Sequence, residues 1–231
     1  MKKYIVLLLL MPVIFRANAQ EREIIEAVSG EDLNKRVKQH MQYLFPEFSD
    51  GFVYLKGMRS AGKLNYNMLV GEMHFIDNEN QVLALNTDDV QMVNIDNRKF
   101  YPFNKMEFVE ELLVAGNLQL QIRRKGNVAS HSKKGAYGMS SSTSAITSYN
   151  SIQGADRTHN LSVIENVMIS LNKFYYLVID NKRFLIKNQK TFTKQFSQHK
   201  TQIEAFVKDQ NISFDNEDDL ITLVKYCNTL N

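Results

Sequence analysis

Several stretches of this chain carry side chains capable of chemistry, and each set implies a different one. Gly57-Met58-Arg59-Ser60-Ala61-Gly62-Lys63 has the G-x-x-x-x-G-K spacing of a phosphate-binding loop. Leu64 stands where such a loop needs a Ser or Thr hydroxyl for magnesium. The residues that follow alternate like a strand, whereas phosphate needs a helix N-terminus. The match reads as two glycines at a hairpin turn. The five histidines, His40, His74, His131, His159 and His199, include no H-x-x-x-H pair, and Cys227 is the only cysteine. No spacing therefore puts two ligands on one metal. His74 lies opposite Met73 and Phe75 in an alternating run and is expected on the exposed face of a strand. Ser142, His159 and Asp156 compose a Ser–His–Asp set on paper, but no G-x-S-x-G elbow accompanies them, so the set has no specificity. The chain reads as non-enzymatic, with no cofactor and no metal.

Arg123-Arg124-Lys125, with Lys133 and Lys134, is the clear basic cluster. Such a cluster can touch phosphates on a lipid surface or an acidic glycan. The plainer reading, which the sequence favours, is a solvated hairpin end whose charges discourage edge-to-edge pairing. Tyr137 and Tyr149 follow among Asn and Ser residues suited to sugar stacking and hydrogen bonding. Lys133 to Asn160 is poor in large apolar residues, holds Ser140-Ser141-Ser142-Thr143-Ser144 and three glycines, and reads as a long loop. Arg123, Arg124, Lys125, Lys133, Lys134, Tyr137 and Tyr149 are the candidate binding residues.

The elements that must position these groups are mostly strands. Lys63 to Met68 places Leu64, Tyr66 and Met68 on one face and Lys63, Asn65 and Asn67 on the other. Strands are expected at Phe52–Lys56, Lys63–Leu69, Glu72–Ile76, Gln81–Leu85, Val90–Ile95, Lys99–Phe103 and Asn117–Val128. Glu107–Ala115 fits either a short helix or a bent strand. Leu161–Leu171 and Phe174–Ile179 return to strand character, with Asn172-Lys173 as a turn between them. The triplet Ile-Asp-Asn closes three strands, at residues 76, 95 and 179, and its polar pair tolerates the left-handed backbone of tight hairpins. Before the sheet, Leu33, Val37, Met41 and Leu44 recur as one face of a helix that Pro46 ends. After it, Ile203, Phe206 and Val207 mark one helix, and Leu220, Leu223, Val224 and Cys227 mark another, capped by Asp215 or Asn216. Cys227 is expected to be a buried structural thiol.

Lys2 and Lys3, the apolar run Ile5–Phe15 and Ala17-Asn18-Ala19 follow the order of a secretory signal peptide. That run is short of the roughly 20 residues a membrane-spanning helix needs. The expected divisions are residues 1–19 as signal peptide, 20–187 as an N-terminal helix plus antiparallel β region, and 188–231 as a C-terminal helical segment. The mature chain would begin near Gln20. Cleavage removes Lys2, Lys3 and Arg16, leaving 25 basic residues against 25 acidic ones. A global attraction to nucleic acid is therefore not expected.

Tyr54-Leu55-Lys56-Gly57, Leu64-Asn65-Tyr66-Asn67-Met68-Leu69-Val70-Gly71-Glu72-Met73, Lys134-Gly135-Ala136-Tyr137-Gly138 and Asn216-Glu217-Asp218-Asp219-Leu220-Ile221 resemble a set of exported, functionally uncharacterised proteins of Gram-negative bacteria. The resemblance runs in order through most of the mature chain. It implies a shared fold and an envelope location, and brings no activity, ligand or catalytic residue.

The expected fold is α+β: an antiparallel, meander-like curved sheet or partial barrel with an N-terminal helix and a C-terminal helical pair. The expected function is that of an exported envelope protein, periplasmic or associated with the outer membrane. It would bind a partner, glycan or lipid surface through residues 123–160. Two alternatives stand beside it. One is a carrier whose half-barrel cavity would be lined by Met68, Met73, Phe75, Met92 and Phe100. The other is a hydrolase using His131 or His159 at the loop.

Overall fold

In a computed structural model of the chain, residues 25–27, 42–130 and 167–230 are described. They build one large antiparallel sheet: β1 (Ile25–Ala27), β2 (Ser49–Leu55), β3 (Met58–Asn67), β4 (Glu72–Ile76), β5 (Val82–Ala84), β6 (Val90–Ile95), β7 (Arg98–Pro102), β8 (Phe108–Ala115), β9 (Leu118–Ser130), β10 (Val167–Ile179) and β11 (Lys182–Ile186). The spatial order is β1-β10-β9-β8-β7-β6-β2-β3-β4-β5, and β11 also pairs with β10. Helices follow the last strand: α1 (Gln189–Thr193), a 3-10 turn (Ser197–His199), α2 (Lys200–Asp209) and α3 (Glu217–Asn228).

Turn chemistry fixes much of this order. Asp96 and Asn97 both have positive φ between β6 and β7, and Asp180 and Asn181 do the same between β10 and β11. Two consecutive left-handed residues give a turn whose twist matches that of the strands it joins. The third triplet behaves differently. Asp77 accepts hydrogen bonds from the amides of Glu79 and Gln81 through Oδ1, and Asn80 takes the left-handed position, so a longer loop joins β4 to β5.

The sheet is open, with β5 at one edge, yet it curls on itself. The Phe108 amide donates to the Gly71 carbonyl at 2.7 Å, and the Gly126 amide to the Leu69 carbonyl at 2.8 Å. The β3–β4 turn therefore rests on β8 and β9, strands far from it in the order of the sheet. Gly126 permits the contact, because a Cβ there would sit 2.9 Å from Leu69 Cδ2 and 3.1 Å from the Leu69 carbonyl oxygen.

Two apolar clusters share the inner face. Phe45, Val53, Leu64, Tyr66, Met73, Val90, Val93, Ile95, Phe100 and Phe108 fill the curl. Leu118, Leu120, Ile122, Tyr175, Leu177 and Ile186 of β9–β11 pack against Phe192, Phe196, Ile203, Val207, Leu220, Leu223, Val224 and Cys227. The C-terminal helices thus bury their apolar stripes on β9–β11 as expected. Asn216 caps α3 by accepting from the Asp219 amide, with Glu217, Asp218 and Asp219 in the first turn. α1 was not anticipated; Asn188 and Thr191 form its capping box.

One open alternative is decided and several expectations are corrected. Glu107–Ala115 is the bent strand rather than the helix, its register shifting between Glu111 and Leu113. Asn172-Lys173 is no turn: both residues pair with β9, opposite Lys125 and Arg124, and β10 runs through them. Gly57 does occupy the β2–β3 turn with φ +77°, but Gly62 lies within β3, opposite Gly51. The N-terminal helix falls mostly outside the described residues. Within them, Ile25–Ala27 is strand, and Tyr43 forms a bridge to Asn67 while the Leu44 amide donates to the Tyr66 carbonyl. That segment covers β3, so Asn65 and Asn67 are buried instead of wet. Asn65 clamps it, accepting from the Phe45 amide and donating to the carbonyls of Phe45 and Glu47.

Candidate binding face

Alternation along β9 divides the basic cluster between two faces. Leu118, Leu120 and Ile122 point inward, and Arg124, two residues further, points inward with them. Arg123 and Lys125 point outward. The cluster is thus mid-strand rather than at a hairpin end, and each of its three cations is paired.

The inward arginine belongs to a buried ionic chain at the seam between the two apolar clusters. One register row crosses the sheet as Val53, Val93, Phe100, Glu110, Ile122, Tyr175 and Ile186. Glu110 is the one charged member of that row. Its side chain is 3% exposed; Oε1 accepts from Arg98 Nε and Oε2 from Arg124 Nη1. Arg124 Nη2 also lies 3.6 Å from Glu217 Oε2 at the start of α3. Both Glu110 oxygens are therefore satisfied by cations, the condition under which a buried carboxylate stays ionised without a large penalty. Tyr66 donates to the Phe108 carbonyl at 3.1 Å, with the Arg124 carbonyl at 3.5 Å, and burial pushes its hydroxyl pKa well up. These groups hold the curl together; Glu110, Arg124 and Tyr66 are buried, and Arg98 and Glu217 at the ends of the chain are partly exposed.

The outer face of β7–β11 is different in kind. Arg123 lies between two rings, its guanidinium carbon 4.9 Å from the Phe174 centroid and 4.7 Å from that of Phe103. Arg183 lies 5.0 Å from the Phe103 centroid, and the Tyr176 ring is 5.3 Å from Phe103. Phe174, Arg123, Phe103 and Arg183 thus form a continuous stack of planar groups. Glu107 anchors it from one side, accepting from Arg123 at 3.0 Å and Lys125 at 2.7 Å. Beside the stack runs a polar chain. Arg183 Nε donates to Gln121, Gln121 to Gln119, and Gln119 to Glu111. Glu111 also accepts from the Tyr101 hydroxyl and pairs with Lys99. Each donor in such a chain polarises the next.

The surroundings tune these groups. Burial and the Glu111 hydrogen bond push Tyr101 up to about 12. Burial raises Tyr176, an effect that Arg123 and Arg183 oppose, and burial lowers Arg183. Arg123 Nε is buried with no hydrogen-bond partner among the described residues. Arg123, Lys125, Arg183 and Lys99 outnumber Glu107 and Glu111, so the face carries a modest positive charge.

Of the candidate residues read from sequence, Arg123 and Lys125 stand on this face and Arg124 is buried away from it. Lys133, Lys134, Tyr137 and Tyr149 lie outside the described residues, as do His131, His159 and the serines of the 140s. Phe103, Phe174, Tyr176, Arg183 and Gln119 were not singled out. The signal for Gln119 was present, since it alternates with Leu118 and Leu120 alongside Gln121 and Arg123.

His74, Cys227 and Lys63 hold structural places. His74 is buried rather than exposed, because residues 42–48 cover its face; its Nδ1 meets the Tyr43 hydroxyl at 3.0 Å and its Nε2 lies 3.5 Å from Glu72. Cys227 is fully buried, and burial pushes its thiol up to about 12. Lys63 pairs with Asp50 on β2 in a strand context where no helix follows. The carrier residues do not share one wall. Met73 and Phe100 are core, Met68 and Phe75 pack against it, and Met92 is not in that cluster, its register partner being Tyr54.

Among the described residues no three His, Cys, Asp or Glu side chains gather as a metal site, and no helix is long and apolar enough to cross a membrane. Comparison with protein-family profiles, with curated proteins and with solved structures returns no match for this chain.

Proposed function

We propose that this chain is an exported, non-enzymatic binding module of the bacterial cell envelope, one of the set of exported proteins it resembles. It takes a glycan on the outer face of β7–β11. The observation that carries this reading is the partly buried stack Phe174–Arg123–Phe103–Arg183 beside the chain Gln121–Gln119–Glu111–Tyr101, of which Gln121 is buried. Sugars present apolar C–H faces to flat groups and hydroxyls to paired donors and acceptors, and this face offers both side by side. The excess of cations favours an acidic glycan over a neutral one.

The test is calorimetric titration of the mature chain with soluble acidic envelope polysaccharide. Saturable binding is expected, weakened about tenfold or more by Phe103→Ala or Arg183→Gln, a loss of roughly 1.4 kcal/mol or more. Lys225→Gln, on α3, should leave it unchanged. Absence of saturable binding, or equal affinity in all variants, overturns the reading.

A further inference from the structure

β10 has one continuous neighbour and one broken one. On one side all of it, from Val167 to Ile179, pairs with β9. On the other side β1 takes Val167, Met168 and Ile169, and β11 takes Tyr175 to Ile179. Between them Ser170, Leu171, Asn172, Lys173 and Phe174 have no strand partner on that side among the described residues. These residues are partly buried. Alternate residues of an antiparallel strand turn N–H and C=O to each neighbour, so about half of them present main-chain groups to the gap. Such groups are ordinarily paired, and an edge that carries them is a template for one more strand.

The gap is a slot closed at both ends, because β1 and β11 both run antiparallel to β10 along the same side. In β1, Ile25 lies opposite Ile169, Glu26 opposite Met168 and Ala27 opposite Val167, so each step up β10 is one step down β1. Carried on towards the N-terminus, this register sets Ile24 opposite Ser170, Glu23 opposite Leu171 and Arg22 opposite Asn172. Glu21 then falls opposite Lys173 and Gln20 opposite Phe174. Residue 19 would fall opposite Tyr175, whose edge Ile186 of β11 already occupies. The slot therefore takes residues 20–24, about 17 Å of extended chain, and no more. It ends at the residue where cleavage after Ala19 would start the mature chain.

Charge agrees with the register. Lys173 lies opposite Arg124 of β9, and residues opposite each other in an antiparallel pair share a face. Arg124 is held by Glu110 and Glu217, while Lys173 makes no ion pair among the described residues. Glu21 would join this row of two cations, with Glu23 beside it on the same face. A shift of one residue would carry both acids to the opposite face.

We infer that residues 20–24 of the mature chain add to β10 as the N-terminal continuation of β1, filling the slot as far as Ile186 with Glu21 against Lys173. The inference rests on reading residues 1–19 as a signal peptide. The chain itself is the occupant, because register, length and charge are all met by residues tethered at Ile25, and tethering gives them a high effective concentration. Gln20 shares a face with Phe174, so the added strand also forms one border of the outer-face stack.

Hydrogen exchange resolved by NMR tests this on two chains, one starting at Gln20 and one at Ile25. In the first, the amides of residues 170–174 that face the slot should exchange about tenfold more slowly, or slower still, than in the second. Amides of Val93 and Leu177 should exchange alike in both. Glu21→Pro with Arg22→Pro keeps the length and should release the same amides, since proline does not sit inside a paired strand. Lys173→Glu should speed their exchange about threefold or more, and Glu21→Lys added to it should slow it again. Equal exchange in the two chains overturns the inference, as does a reversed charge pair that brings no recovery. Protection that grows with protein concentration assigns the slot to a second copy and overturns it too. Mass spectrometry of the chain exported by a Gram-negative host reads cleavage separately. A start away from residue 20 overturns the signal-peptide reading and with it the fit of the slot to the natural chain. Cleavage at that residue with equal exchange overturns the slot alone.

Discussion

Replacing Glu110 with Gln probes the buried seam on which the curl depends. The substitution keeps the shape of the side chain and removes its charge. Arg124, whose side chain is 7% exposed, then faces an amide and retains only the 3.6 Å approach of Glu217. Removing one partner of a buried ion pair costs about 3–5 kcal/mol, because the remaining charge is left uncompensated. Arg98 is about one-third exposed and can turn to water, and Glu217 keeps part of the Arg124 charge paired, so the lower end applies. The expected loss is about 3 kcal/mol. For a chain of this size that is a fall in Tm of roughly 6–12 °C. Urea unfolding followed by circular dichroism measures the free energy, and calorimetry the temperature. The double variant Glu110→Leu, Arg124→Met removes both charges and fills the same space. It should return to within about 1 kcal/mol of the parent or exceed it. A single variant within about 0.5 kcal/mol of the parent would mean that water reaches Arg124 in solution. The seam would then not be dry, and the reasoning would fail.

Two further outcomes follow from the same geometry. Gly126→Ala drives a methyl into Leu69, including its backbone carbonyl, and should destabilise by about 1–3 kcal/mol in the same unfolding assay; a neutral result would show that the β3–β4 turn does not rest on β9. Burial raises Cys227 from 9.0, and Tyr43 and Tyr175 from 10.0, to about 12 each. Because the folded state holds these protons more tightly than the unfolded one, their contribution is complete below pH 9 and is lost as pH rises toward 12. Unfolding free energy should therefore fall steadily across that window, and a flat profile from pH 8 to 11 would contradict the burial of these groups.

The strands were legible where one face is wet. Val90–Ile95 matches its expected bounds, because alternation and a turn signal agree there. Asp96-Asn97 and Asp180-Asn181 announced their hairpins through backbone tolerance alone. Alternation misled where a second layer covers the other face. Asn65, Asn67 and His74 were placed in water because polar side chains ordinarily face it, and the covering segment around Phe45 carries no local sign of its destination. Arg124 shows the opposite failure. The period-two pattern of Leu118, Leu120 and Ile122 already places it inward, but three adjacent cations read as one surface. Its partners Glu110 and Glu217 lie in other elements and meet it only in the folded chain. The outer-face stack has the same origin: Phe103, Phe174 and Arg183 come from three separate segments, and no spacing rule joins them.

The binding claim rests on the outer face, and the arginine side chains there report on it directly. In a ¹H–¹⁵N spectrum of the mature chain, the Nε–H signals of Arg123 and Arg183 can be followed while soluble acidic envelope polysaccharide is added. Arg123 Nε has no partner within the described residues, and Arg183 Nε donates to Gln121 at 2.8 Å. Saturable shifts of both signals are expected, with Arg59 on β3, which stacks on Phe52, unmoved. If Arg123 and Arg183 stay fixed while the polysaccharide binds, or if Arg59 moves as far as they do, the outer face of β7–β11 is not the binding surface.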